Sequence, residues 1–169
     1  MDNSNNPTLD NLDLVRIIFW FCSEGDPKVF KSNIRLQKIV FLAQKNLPQF
    51  QELKESGVYR NEEFEFEPNN FGPFSVDLVK LVNGRFKREN EIIIKKNGFL
   101  TTYEVQNELI KKLKEKYIKL KDNSTFLKWV KEISALGKLD TGILLKKVYE
   151  NADYSNYLAK SIIAHKFNI

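Results

Sequence analysis

The sequence predicts an α+β chain, mainly helical, with a winged-helix-like core, short strands and a helical C-terminal extension over about residues 122–169. Several stretches carry apolar residues at intervals of three and four, the spacing of one helix face. Two short stretches, Glu63–Glu67 and Ile92–Ile94, read as strands and lie among the helices. Asn97-Gly98 supplies hairpin turn chemistry directly after the second of them. At 169 residues the chain is long enough for one well-filled core and short for two. A polar tail over residues 1–8 and one domain over 9–169 are expected, and 13 Phe against 7 Gly and 5 Pro argues against long disordered stretches.

The elements follow in order. Residues 10–23 are apolar nearly all round from Ile17 onward, as in a helix buried by several neighbours, with Asp10 or Asn11 as cap and Gly25 as stop. After the turn EGDPKVFKS, Leu36, Ile39 or Val40, Ala43 and Leu47 recur at helical spacing in a second helix. Residues 58–67 contain Glu63, Phe64, Glu65, Phe66 and Glu67, an alternation that predicts a short strand with one acidic face.

Pro68 to Pro73 turns the chain into a brief helix, SVDLVKLVNG, closed by Gly84. Pro73 fixes its own φ and drives Gly72 out of the α region, so the chain must arrive extended. Ser75 is the expected N-cap, Asp77 puts a carboxylate where the helix dipole favours it, and Phe74 and Val79 have the spacing of a hydrophobic staple. A Gly-preceded helix start also binds anions, but neither nucleotide-loop glycine pattern is present and the structural reading is preferred.

Ile92–Ile94 between charged flanks predicts a strand or small hairpin, and the wing is placed at Arg85–Phe99. Thr101 and Glu104 have capping-box spacing ahead of Val105, Leu109, Leu113 and Tyr117, which predicts a long amphipathic helix with its lysines on a solvated back. Two further helices follow, one capped by Ser124 and stopped by Gly137, the other capped by Asp140 or Thr141.

The pieces RLQKIVFLAQ at 35–44, FEFEP at 64–68, FGPFSVDL at 71–78 and LLKKVYENADYSNYLAKSII at 144–163 together resemble the YwgA-like and SocA-like (Panacea) group. The corner Gly72, Pro73, Phe74, Ser75 and Asp77 is the most specific of them; the group favours valine after Gly-Pro, where this chain has Phe74 and Ser75. The resemblance implies a winged-helix-like fold and a non-enzymatic role as an antitoxin or adaptor that binds a partner protein.

Groups for catalysis are sparse. His165 is the sole histidine and lies four residues from the end, so neither a His-based metal site nor a Ser-His-Asp arrangement is expected. Cys22 sits in the apolar run IIFWFC and reads as a core filler; with no second cysteine it fits a reducing cytoplasm. Glu63, Glu65 and Glu67 alternate along one strand face, a pattern that suits a divalent cation and suits a solvated face better. No cofactor and no metal are expected. Neither a secretory leader nor a membrane span is read, since Leu14–Cys22 is too short and contains Arg16.

The net charge of +5 favours acidic partners. Lys80, Arg85, Lys87, Arg88, Lys95 and Lys96 cluster around the corner helix and the expected wing, a candidate duplex-DNA surface interleaved by Glu89 and Glu91. The leading expectation is an intracellular module that binds a partner protein, with a winged-helix DNA-binding regulator as the alternative and a homodimer as one expected assembly.

Overall fold

The computed structural model of the chain describes residues 6–150. His165 and residues 151–163 of the last family-like piece lie outside them.

The first helix, α1 (Asn11–Phe21), opens with a reciprocal cap: the Asp13 N–H donates to Asp10 Oδ1 at 2.9 Å and the Asp10 N–H to Asp13 Oδ2 at 3.0 Å. Leu12 through Phe19 are all buried, so the burial expected from Ile17 onward begins a turn and a half earlier and takes in Asp13 and Arg16. The segment expected to be only a turn contains β1 (Val29–Lys31), too short for any periodicity to declare it. Next come α2 (Asn33–Lys45), capped by Ser32, and α3 (Pro48–Glu55), which starts on a proline at its first position. Helix α3 is not among the elements expected from the sequence.

No strand forms at residues 58–67, contrary to expectation. The alternation survives as burial: Phe64 is in the core and Phe66 packs edge-on to Phe41 at 5.1 Å, while Glu65 and Glu67 are exposed. The Phe64 N–H donates to a side chain, Gln44 Oε1, at 3.0 Å, and only Tyr59 and Glu67 make single bridges, to Leu9 and Phe74. Alternation specifies two faces; it does not supply a neighbouring strand.

Helix α4 (Val76–Lys80) runs on through a π-helical segment, Leu81–Phe86, and one more short stretch of helix, so Gly84 does not close it. Val82 and Phe86 are buried, and that outweighs the roughly 1 kcal/mol helix penalty of an exposed glycine. The hairpin is β2 (Ile92–Asn97) and β3 (Leu100–Val105), turning at Gly98. The hairpin therefore spans Ile92–Val105 where a wing was expected at Arg85–Phe99, and Arg85, Lys87 and Arg88 belong to the preceding helical segment instead. Thr101 and Glu104 form no capping box, because Tyr103 and Val105 face the core two residues apart as strand residues.

Helix α5 (Asn107–Leu120) follows with Gln106 at its cap position, then α6 (Ser124–Gly137) and α7 (Thr141–Tyr149). The α6 cap is Asn123, whose Oδ1 accepts from the Phe126 N–H at 2.9 Å, and not Ser124. Asp140 caps α7, accepting from the Ile143 N–H at 2.8 Å.

The sheet is antiparallel in the order β1-β3-β2, with Phe30 and Ile94 each opposite Tyr103. Helix, strand, helices, then a hairpin whose second strand pairs with the first strand is the layout expected of a winged-helix-like core. The class is α+β and mainly helical, and residues from Leu9 to Tyr149 share one hydrophobic core. Gly137 lets the end of α6 close on α1, since a Cβ there would lie 2.6 Å from Cys22 Sγ.

Charge is spent inside this core. Arg16 on α1 forks onto Glu91, with Nε to Oε1 at 2.7 Å and Nη2 to Oε2 at 3.2 Å, and also reaches Asp13 at 3.1 Å. Lys112 of α5 joins Glu89 at 2.8 Å and Glu91 at 3.4 Å, and Lys116 lies 3.5 Å from Asp13. These two lysines are not on the solvated back expected of α5; each falls three residues after a buried leucine, Leu109 or Leu113, and so flanks the apolar stripe.

Glu91 is fully buried. Replacing it by alanine leaves a buried guanidinium with Asp13 as its one remaining carboxylate among the described residues and should cost about 3–5 kcal/mol in urea unfolding, whereas the double change Arg16→Met with Glu91→Leu should cost much less. Equal losses for the two would mean that the pair matters through shape rather than charge.

Candidate functional site

Two of the family-like pieces meet in space. Gln37 and Lys38 of α2 hold the corner at residues 72–75. The Ser75 N–H donates to Gln37 Oε1 at 2.8 Å and Gln37 Nε2 donates to the Ser75 carbonyl at 3.1 Å, so one amide side chain pairs with both backbone groups of a fully buried residue. Lys38 Nζ donates to the Pro73 carbonyl at 3.1 Å. Ser75 caps α4 as expected, accepting from the Leu78 N–H at 3.3 Å, and Phe74 exchanges backbone hydrogen bonds with Glu67 at 2.8 and 3.0 Å.

Gly72 is required here. Its φ is +92°, and a Cβ would stand 2.7 Å from Lys38 Cε and 3.0 Å from Leu145 Cδ1 of α7. The backbone passes so close to the lysine stem that only glycine leaves room. Leu145 brings α7, a third family-like piece, onto the same spot. Phe71 and Val76, on either side of the corner, are each nearly half exposed, at 46% and 48%. Asp77 is exposed in the first turn of α4, where its negative charge opposes any anion at that end.

Lys38 is 1% exposed and has no ion-pair partner among the described residues. Burial lowers its ammonium from the usual 10.5 to about 7. It is shut under the corner, away from any reactant. Cys22, pushed up to about 12 by burial, donates Sγ–H to the Ile133 carbonyl at 3.4 Å and is a poor nucleophile. Tyr103, also pushed to about 12 by burial, lies in the core beside Phe19 and Phe30.

The acidic residues of 63–67 separate. Glu63 pairs with Lys45 and lies 3.7 Å from Lys54, so it is not simply solvated, while Glu65 and Glu67 face outward. Among the described residues, no group of three His, Cys, Asp or Glu side chains has the geometry to hold a metal ion. No helix among them is long and apolar enough to cross a membrane.

The candidate DNA-contacting residues fall on two elements. Lys80, Arg85, Lys87 and Arg88 are exposed along the α4 and π-helical segment, where Arg85 pairs with Glu89 at 3.4 Å and lines an acidic groove with Asp10, Glu62, Glu65 and Asp77. Lys95 and Lys96 are exposed on the hairpin, Lys95 lying 3.3 Å from Glu104, with Phe99 fully exposed at the tip.

A further feature had no distinct signal in the sequence. The end of α1 and one side of α5 enclose a groove of about 450 Å³ between Trp20 and Phe21 on one wall and Ile110, Leu113, Tyr117 and Ile118 on the other, with Lys114 at its edge. Phe21 and Tyr117 lie 6.3 Å apart between ring centres, and Ile118 is 64% exposed. The helical spacing of Ile110, Leu113 and Tyr117 reads as core packing, yet the described residues leave part of that face uncovered.

No family model, curated protein or solved structure matches the chain.

Two outcomes follow from the corner. Gln37→Ala strands the buried N–H and C=O of Ser75 and should cost about 2 kcal/mol or more by urea titration. Lys38 makes stability pH-dependent: above pH 7 the unfolded chain holds a proton that the native lysine has released, so stability rises with pH, by up to about 1.4 kcal/mol per unit between about pH 7 and pH 9. Below pH 7 both states are protonated and the slope vanishes; above about pH 9, unfolded Cys22 ionises while the native thiol does not, and the trend is opposed. Lys38→Met should flatten the rise from pH 7 to 9, and a slope unchanged in that variant would assign it to another group.

Proposed function

We propose that the protein is a non-enzymatic intracellular interaction module of the antitoxin or adaptor kind, acting by covering apolar surface on a partner protein. The observation that carries this reading is the aromatic and aliphatic groove between α1 and α5, left open by the described residues, most of whose other large apolar side chains are packed away. The chemically distinctive groups support it from the other direction. Lys38 and Gln37 are used to hold backbone, Cys22 is half-buried against α6, and Arg16 and Glu91 neutralise each other. The contact between the LQK and GPFS pieces is also what a shared structural unit of the Panacea-like group would require, and it agrees with the resemblance without depending on it.

Tagged full-length chain, expressed in its own host and recovered at moderate salt, should bring down one protein in near-stoichiometric amount. Repeated recovery of the chain alone from cells grown under several conditions would overturn the reading.

A second reading, a DNA-binding regulator, is favoured by one specific observation: the hairpin projects Lys95, Lys96 and Phe99 into solvent at the wing position. It expects duplex binding that weakens steeply with salt. Loss of about tenfold in affinity for Lys95→Ala with Lys96→Ala, at low salt by fluorescence anisotropy, would place the contact on the hairpin. The same loss for Arg85→Ala, Lys87→Ala and Arg88→Ala would place it on the π-helical segment. Affinity unchanged by both sets would remove DNA from consideration at these residues.

A further inference from the structure

We propose that the groove between α1 and α5 receives an amphipathic helix whose apolar stripe is bordered by carboxylates. This rests on the partner-protein reading and names the chemistry of the partner.

The dimensions fit one helix face. At a rise of about 1.5 Å per residue, Ile110 and Ile118 are separated by about 12 Å along the α5 axis, a little over two helical turns. That is the span of anchors at positions i, i+3 or i+4, and i+7 of a docked helix. Trp20 and Phe21 form the opposite wall, and Tyr117 is held in place between Phe21 at 6.3 Å and Phe126 at 5.6 Å. The wall is built before any partner arrives, which lowers the ordering cost of binding. A bilayer presents a flat face and does not enter a groove of about 450 Å³.

The charge of the border selects among helices. A helix advances about 100° per residue, so Lys114 and Lys121 fall between Ile110 and Ile118 around α5 and Lys111 about 20° beyond Ile118, while Glu108 and Glu115 lie further round. All three lysines are exposed and have no ion pair among the described residues. They contrast with Lys112 and Lys116 of the same helix, which are committed to Glu89, Glu91 and Asp13. On the opposite wall Lys28 places its ammonium 4.3 Å from the centre of the Trp20 ring. The apolar floor is therefore bordered by amino groups with no neutralising partner among the described residues, and a docked helix with glutamates beside its apolar stripe supplies that charge. Lysines there would meet like charge along the α5 border.

The experiment uses Trp20 as its reporter. The second tryptophan, Trp129, is fully buried and donates Nε1–H to the Ala43 carbonyl at 3.1 Å, so a change in emission or acrylamide quenching reads the groove. The full chain is titrated with a synthetic helical peptide of about 18 residues bearing leucines at the spacing above and flanking glutamates, and with its twin carrying lysine for glutamate. The glutamate peptide should blue-shift and protect Trp20 and bind at least about tenfold more tightly than the lysine twin, a gap that narrows as salt rises from roughly 50 to 500 mM. Lys111→Glu with Lys114→Glu should reverse the preference. Ile118→Glu should abolish binding of both peptides with an unchanged far-ultraviolet circular dichroism spectrum, since that side chain is mostly in solvent.

Equal affinity for the two peptides, binding retained by Ile118→Glu, or preference for phosphatidylglycerol vesicles over the glutamate peptide would each overturn the proposal. A host partner captured equally by the wild type and Ile118→Glu would leave the module reading standing and sink the groove as its site. Charge-selective peptide binding by a chain that captures no host protein would do the reverse.

Discussion

A helix buried on every side cannot carry a charge unless the rest of the chain brings it a counter-charge, and α1 carries Arg16 at its centre. The placement of Glu91 answers that constraint. It fixes the residue immediately before β2 against the middle of α1, and so sets where the hairpin begins and which face of it turns inward. Lys112 then binds the same carboxylate from α5, and Lys116 reaches Asp13, so the helix after the hairpin is held along the helix before it. Three segments distant in sequence are locked by one shared set of charges. Such a set specifies an arrangement more than it adds net stability, because each buried ion has first lost its hydration.

The corner at residues 72–75 solves a different problem. A chain arriving extended at Pro73 has backbone groups that no neighbouring strand can satisfy, and Ser75 is fully buried. Gln37 substitutes for the absent strand, offering one donor and one acceptor at the spacing of a peptide group. Lys38 serves the Pro73 carbonyl at the cost of burying an ammonium, and Gly72 is the only residue type that allows that stem to pass. Phe71 and Val76 remain in solvent beside this rigid corner, so the parts that could meet a partner are carried by a part that cannot easily move. The α1–α5 groove has the same character, its walls held by α6 and by the charge set beneath α5.

Much of the fold was legible because its signals are local. The apolar run of α1 from Ile17 onward, the helical spacing of α2, the caps at Asp10, Ser75 and Asp140, and the Asn97-Gly98 turn each depend on residues a few positions apart. The errors arose where the deciding partner was distant. Phe64 and Phe66 alternate as a strand does, yet what they meet is Gln44 and Phe41 rather than another strand. Thr101 and Glu104 have the spacing of a cap, yet pairing with β1 and β2 makes that stretch the central strand of the sheet. Gly84 marks a stop only where nothing beyond it needs to be buried, and Phe86 does.

By itself the sequence determined the class, α+β and mainly helical, the position of most helices, and the corner with its glycine, proline and capping serine, all of which follow from propensity and short-range spacing. Only the tertiary structure decided that Gln37 and Lys38 serve the corner, that Lys112 and Lys116 turn inward while Lys111 and Lys114 do not, and that Ile110, Tyr117 and Ile118 line an open groove. The physical reason is the same in each case. A side chain's chemistry is written in its own position, but whether it is paired, buried or left to meet a partner depends on what a remote segment places against it.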